Sequence, residues 1–116
     1  FDGRIGILFK YYFGNITIKD IISSWEFAIV NNLIPEDNKG FILDYRKASF
    51  NIDISEHIEI PQFYKQHQRI FRDYKIAILI DRPEDMVIPI LVKEKDDGYE
   101  SRPFSTLEAA IAWILI

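Results

Sequence analysis

The chain has 116 residues, a formal net charge of −4, no cysteine, and 48% hydrophobic residues. This length suits a single domain over 1–116 with one buried core, and the acidic balance argues against a nucleic-acid reader, which needs a basic face to neutralise phosphates. The lack of cysteine excludes disulfides and thiolate metal sites and fits a reducing, cytoplasmic compartment. No apolar run reaches the ~18 residues of a membrane span.

The first predicted element is a strand over residues 4–13, in which apolar side chains recur at every second position. One side of this strand is wholly apolar and consists of Ile5, Ile7, Phe9, Tyr11 and Phe13. Asp2 and Gly3 form a turn signal with nothing before it to turn from, and the chain does not begin with Met. We therefore expect that an N-terminal strand of the fold is missing from the chain.

A helix is predicted over 17–32, and its first residue forms a capping box with Asp20. Phe27, Val30 and Ile34 lie off the stripe of this helix that is predicted to face the sheet. Because exposed apolar patches often mark interfaces, these three residues are a candidate contact surface for a protein partner or a homodimer. The alternative is that another segment covers them. The sheet-facing stripe is predicted to contain Ile18, Ile21, Ile22, Trp25, Ala28, Ile29 and Leu33.

The rest of the chain alternates between strand and helix patterns. The near-continuous apolar run at 75–81 is typical of a central parallel strand covered on both faces, whereas Pro103 favours an edge strand. The alternation predicts an α/β fold with a mostly parallel sheet of four to five strands and four helices, joined by right-handed crossovers. The further strands are predicted at 41–46 and 102–104, and the further helices over 56–73, over 83–95 and from a capping box at Ser105 and Glu108 onward.

Four stretches in this order resemble one family, the bacterial STAS-like (SpoIIAA-like) domains, which are related to the CRAL-TRIO-like proteins. The resemblance implies a superhelix of βα turns with helices packed against a mixed sheet. The stretches are Tyr12-Phe13-Gly14-Asn15-Ile16-Thr17 with Asp20, Ile42-Leu43-Asp44-Tyr45-Arg46-Lys47-Ala48, Lys75-Ile76-Ala77-Ile78-Leu79-Ile80-Asp81-Arg82-Pro83, and Phe104-Ser105-Thr106-Leu107-Glu108-Ala109-Ala110 with Trp113.

The resemblance implies a non-enzymatic binding or regulatory module that acts through protein contacts. The best-understood relatives are switched by phosphorylation of a serine after a central strand, but Ser49 and Ser55 do not match that serine pattern, so the switch is not carried over. The alternative is a domain that binds a small hydrophobic ligand or a lipid, as implied by the CRAL-TRIO-like relatives. An apolar cavity of ~300 Å³ or more would favour this alternative, whereas a solid core with an exposed apolar face would favour the first hypothesis.

Three charged residues follow predicted parallel strands: Asp44, Arg46 and Asp81. Ligands of open α/β sheets bind at the carboxyl ends of the strands, so these residues are a candidate rim of a ligand or partner site. The alternative is structural, with the aspartates capping backbone groups and Arg46 paired to one of them. His57 and His67 lack a metal-like partner at helical spacing, and His67 is expected to be a hydrogen-bonded core residue. We expect no metal, no cofactor and no catalytic constellation, although an enzyme with an unrecognised site is a third hypothesis.

Overall fold

The computed structural model describes residues 1–116 as an α/β domain around one four-stranded, all-parallel sheet. The strands lie side by side in chain order, and each neighbouring pair is joined through helical segments. This confirms the predicted fold class, including the central position of the third strand and the edge position of the strand with Pro103. The strands are β1 (Ile7–Ile16), β2 (Gly40–Phe50), β3 (Lys75–Leu79) and β4 (Glu100–Phe104), and the helices are α1 (Ile18–Val30), α2 (Glu59–Gln66), α3 (Gln68–Phe71), α4 (Val87–Lys93) and α5 (Leu107–Ile114).

The two faces of the sheet are covered unequally. Right-handed crossovers between strands in sequential order place their helices on the same face, and α1 to α4 accordingly share one large core with that side of the sheet. We call this side the closed face. Only α5, which follows the last strand, packs on the other side, which we call the open face. The buried residues of the open face are Ile7, Ile42, Ala77, Leu79, Ala110, Trp113 and Ile114.

Trp25 is the centre of the core on the closed face. Its ring is 1% exposed and meets Phe41, Tyr64 and Phe71 edge-on, with ring centroids 5.1, 6.0 and 4.9 Å away. Edge-to-face pairs add stabilisation beyond the area that they bury. The predicted core-facing position of Trp25 is confirmed. Trp113 of α5 is buried on the open face.

The C-terminus of α1 differs from the prediction. The predicted capping box at Thr17 and Asp20 is present, but the helix ends at Val30 because Asn32 adopts a left-handed conformation with φ 55°. The Leu33 amide then donates to the Ala28 carbonyl at 2.9 Å, which closes the helix end,. This turn reverses the predicted burial of Leu33 and Ile34. Leu33, predicted to face the core, is 48% exposed, whereas Ile34, predicted to face outward, packs against the core.

Other element boundaries also differ. β1 begins at Ile7 because residues 2–6 form a turn, in which the Asp2 amide donates to the Ile7 carbonyl at 3.0 Å. β2 continues through residues predicted to be irregular, since a bulge lets it stay paired with β1 to its end. The second helix breaks at His67 into α2 and α3, so there are five helices rather than four.

Two helix starts were also predicted incorrectly. A 3-10 turn over Pro83–Met86 precedes α4, where a single helix was predicted over 83–95. The N-cap of α5 is Thr106 rather than Ser105, because its side chain accepts a hydrogen bond from the Ala109 amide at 3.2 Å. No helix of the domain combines the length and the apolar character that crossing a membrane requires.

Candidate functional site at the carboxyl edge of the sheet

A cleft of about 460 Å³ lies over the middle of β1 and β2, just beyond the carboxyl end of β3. It brings together all three residues of the predicted rim, Asp44 and Arg46 from β2 and Asp81 from the segment after β3. This placement follows from topology, because the carboxyl ends of parallel strands meet at the same edge of a sheet. The cleft is lined by Tyr11, Tyr12, Phe13, Asp44, Arg46, Lys47 and Asp81.

The cleft exists because α5 covers only the amino-terminal part of the open face. Ile7 and Ile42 lie fully buried under α5, and alternation along a strand puts Tyr11 and Phe13 on the same face as Ile7. Beyond the helix nothing covers them, so Tyr11 is 61% and Phe13 64% exposed. The β1 side of the cleft is therefore an uncovered aromatic wall.

Asp44 and Arg46 form an ion pair within β2. The Arg46 Nε donates to Asp44 Oδ1 at 3.0 Å, its Nη2 donates to Oδ2 at 2.8 Å, and its backbone N–H donates to Oδ1 at 3.0 Å. Burial acts to raise the pKa of the Asp44 carboxyl, but the hydrogen bonds from Arg46 outweigh it, so that this pKa is lower than usual,. The predicted structural pairing of Arg46 with one aspartate is thus confirmed, and it occupies both oxygens of Asp44.

Asp81 and Lys47 are the free charges of the cleft. Both side chains are exposed, and neither makes a side-chain hydrogen bond or an ion pair with another residue. The negative charge of Asp81 helps to raise the pKa of Arg46, after the larger contribution of Asp44. The cleft can therefore offer a ligand or a partner aromatic stacking on one side and one charge of each sign on the other.

The histidines lie outside the cleft and are held by their own helical turns. His67 Nδ1 is 3.0 Å from the Phe63 carbonyl oxygen and His57 Nδ1 is 2.6 Å from that of Ile54. His67 is hydrogen-bonded as predicted, but it is only half-buried and does not belong to the core, contrary to the prediction. No group of three or more histidine, cysteine, aspartate or glutamate side chains is arranged to hold a metal ion.

Sequence reasoning missed Tyr11, Phe13 and Lys47 as parts of this site. Tyr11 and Phe13 were predicted only to belong to the wholly apolar face of the first strand. The signal that identifies them is topological, since sequential strand order sends every crossover helix to one face and leaves only the last helix for the other. Lys47 was predicted to follow β2, and the bulge keeps it inside the strand, paired with Phe13.

A buried amine on the closed face was also missed. The Lys10 Nζ lies 3.9 Å from the centroid of the Trp25 ring and 5.5 Å from that of Tyr12, and it has no hydrogen-bond partner. Burial lowers the pKa of this amine to about 7,. The cation–π contact with Trp25 compensates in part for the lost hydration. Strand alternation alone predicts that Lys10 shares the side of Leu8 and Tyr12 but not that its amine is buried.

The core on the closed face contains a narrow apolar crevice of about 30 Å³. It lies between α1, α2, α4 and the sheet, against Ile21, Leu43 and Val92. Such a volume is of the order of one water molecule, whereas ligand pockets are ~300–1,000 Å³. The core on this face is therefore solid with respect to a ligand.

Fold and site together define a four-stranded parallel α/β domain with one closed face and an open cleft at the carboxyl edge. No family model matches the chain, and neither does any curated protein or solved structure.

Proposed function

We propose that the chain is a non-enzymatic binding or regulatory module of the STAS-like (SpoIIAA-like) type, which acts through protein contacts. Four sequence stretches that resemble this family, in the same order, support the proposal. The observation that carries it is a solid core combined with large apolar side chains left exposed. Phe27 is 64% and Val30 81% exposed on the outer side of α1, and patches of this kind often mark interfaces.

The alternative function, binding of a small hydrophobic ligand or a lipid, has less support. A ligand of that kind needs an apolar chamber of ~300 Å³ or more, and the apolar crevice of the core measures about 30 Å³. The larger cleft is open and carries the charged side chains of Asp44, Lys47 and Asp81. Its lining is better matched to a polar or mixed surface of another protein than to a lipid chain.

The outer side of α1 is the surface that we assign to the partner. Burying apolar area is favourable by about 25 cal/mol per Å², and aromatic side chains dominate the energetics of many interfaces. Phe27 supplies such a side chain, and Val30, one helical turn further on, extends the same surface. Ile34, also predicted to belong to it, packs against the core and can contribute only its exposed edge.

The test compares Phe27→Asp with the control Ile54→Asp, which adds the same charge at another exposed apolar residue. Both variants and the wild type serve as baits in extract of the native host, and bound proteins are identified by mass spectrometry. We expect a protein that the wild type and the control retain and that Phe27→Asp loses. Equal retention by all three baits would contradict the assignment of this surface.

The ligand alternative is tested on the purified protein from the same host. The protein is unfolded and extracted with organic solvent, and the extract is compared with that of a heat-treated blank by mass spectrometry. We expect no apolar compound at stoichiometric amount. A stoichiometric lipid would contradict the proposal and favour the alternative function.

A further inference from the structure

β1 is a long edge strand without the features that usually block edge pairing. Natural proteins protect sheet edges with charged side chains, proline or very short strands. The opposite edge, β4, has five residues and carries Arg102 and Pro103. β1 has ten residues and no proline, and its only charged side chain, Lys10, turns its amine beneath the Trp25 ring. The β1 edge is therefore open to pairing with another strand.

The free backbone groups of β1 belong to its odd-numbered residues. On the β2 side, the Leu8 amide donates to Asn38 Oδ1 at 3.1 Å, and the Ile16 carbonyl accepts from Asn51 at 2.8 Å. A residue in a parallel strand directs its N–H and C=O to the same neighbour, and the next residue directs them to the opposite side. The outward groups between the two ends of β1 are therefore those of Phe9, Tyr11, Phe13 and Asn15.

The chain itself limits the free part of this edge at both ends. Asp2 pairs antiparallel with Ile7 at the start of β1, and its amide occupies the outward carbonyl of Ile7. At the other end, Thr17 is the N-cap of α1, where the strand stops. The free part of the edge is the window between Ile7 and Thr17, and Tyr12 lies at its centre.

We propose that a second copy of this chain pairs its β1 antiparallel with this window, about a two-fold axis at Tyr12, so that two sheets form one continuous sheet. Two-fold pairing is the commonest symmetry of homo-oligomers. In this register Tyr11 lies opposite Phe13 of the second copy and Phe9 opposite Asn15 of the second copy, so every outward group in the window has a partner. A two-residue shift in either direction would place a free residue opposite Ile7 or Thr17.

The side chains agree with this register. The exposed rings of Tyr11 and Phe13 pair across the two strands twice, and aromatic cross-strand pairs stabilise antiparallel ladders. Lys10 lies opposite Gly14, which has no side chain, so no like charges meet. Gly14 has a left-handed φ of 76°, but this does not interrupt β1, because Gly14 stays paired in register with Ala48 of β2. The proposed pairing does not involve Phe27 or Val30 of α1. The test of this pairing is therefore independent of the test of the proposed function.

The register is tested by disulfide cross-linking, because the chain has no cysteine of its own. The single variants Tyr11→Cys and Phe13→Cys are oxidised separately and as a mixture. The geometry of antiparallel strands puts residue 11 about 5.5 Å from residue 13 of the other copy, and about 8–9 Å from residue 11 of that copy. Cα atoms more than ~7 Å apart are not bridged without backbone movement. We expect cross-linked dimer in the mixture at several times the yield of either variant alone; equal yields, or none, would overturn the proposal.

Association and backbone pairing are measured on the unmodified chain. We expect sedimentation of the wild type to show a dimer whose fraction rises with concentration. Amide hydrogen exchange of Phe9, Tyr11 and Phe13 should slow by at least tenfold in the dimer, whereas the exchange of Lys10 and Tyr12 should change little. A monomer at all concentrations would overturn the proposal. A monomer with slow outward amides would do so as well, since another segment of the chain would then cover the edge.

Two variants separate this interface from other surfaces. Tyr11→Pro removes an outward N–H, which an edge strand tolerates, and should abolish the dimer with an unchanged circular dichroism spectrum. If that variant fails to fold, Tyr11→Lys combined with Phe13→Lys places like charges opposite each other and should have the same effect. Phe27→Asp is the control and should retain the dimer. Loss of the dimer in Phe27→Asp with its retention in the β1 variants would overturn the proposal.

Discussion

The two faces of the same four strands differ in how completely helices cover them. The closed face is packed by α1 to α4 and contains the largest buried side chains, including Trp25, Phe41 and Phe71. The open face is packed by α5 alone and leaves Tyr11 and Phe13 exposed beside the cleft. Sequential strand order with right-handed crossovers imposes this asymmetry. It follows that changes on the closed face should affect stability, whereas changes on the uncovered part of the open face should affect binding.

The largest expected effect is at Trp25. Trp25→Ala should lower the free energy of unfolding by about 3–5 kcal/mol, because it removes a packed aromatic side chain and leaves a cavity. Phe13→Ala on the open face is the matched control and should change it by about 0.5 kcal/mol or less, since its ring is exposed. Denaturant midpoints measure both. Similar losses in the two variants would contradict the distinction between the faces.

The next effect is a pH dependence that Lys10 gives to the closed face. The pKa of its amine is about 7 in the folded protein against an ordinary value of 10.5. Between these values the unfolded chain binds this proton and the folded protein does not, so stability should rise with pH. We expect a gain of about 1 to 2.5 kcal/mol between pH 7 and pH 9. Urea unfolding at several pH values measures it.

Lys10→Met is the control for this dependence. The substitution removes the buried amine and keeps much of its apolar length, so the variant should be more stable than the wild type at pH 7 and nearly independent of pH up to 9. Burial raises the pKa of Tyr12 above its ordinary value of 10.0. This shift makes stability fall with rising pH, but only above about pH 10. Parallel stability curves for the wild type and the variant would show that Lys10 does not cause the rise.

A smaller effect is expected at the Asp44–Arg46 pair in the cleft. Arg46→Ala should cost about 1 kcal/mol at pH 7, because the largely buried Asp44 carboxylate loses its partner. The pKa of Asp44 is lowered in the folded protein, so the pair's contribution is present above the unfolded pKa and is lost as pH falls through the folded value. The difference between variant and wild type should therefore shrink below about pH 4. Asp44→Asn combined with Arg46→Ala should cost less than Arg46→Ala alone; a larger cost would contradict this account.

Periodicity predicted the parts of this structure that repeat regularly. The alternation of elements, the capping box at Thr17 and the buried run of β3 follow from local residue patterns, and Asp44 and Asp81 meet because parallel strands end at one edge. Local departures from regular geometry were not predicted. The left-handed Asn32 moves Leu33 out and Ile34 in, and the bulge of β2 depends on its pairing with β1 rather than on its own sequence.

Burial of single polar groups was equally beyond the sequence pattern. The Lys10 amine is buried because the Trp25 ring, from another element, lies 3.9 Å away. Membership of the STAS-like family, the protein partner and the role of the Phe27 surface stay predictions. The partner and the role of the surface concern contacts between molecules, which a single chain does not contain. The fold restricts only where such contacts can form.

The smallest effect on stability is expected for a substitution of Phe27, whereas a substitution of its neighbour Ala28 should have a large effect. Phe27→Asp should change the free energy of unfolding by about 0.5 kcal/mol or less, since the side chain is exposed and makes no core contact,. Ala28→Asp on the same helix should unfold the domain or destabilise it by at least ~3 kcal/mol, because it buries a carboxylate without a partner. Thermal and denaturant unfolding of both variants measures the contrast. If Phe27→Asp also unfolds the domain, α1 packs on two sides and its outer surface is part of the core rather than a surface for a partner.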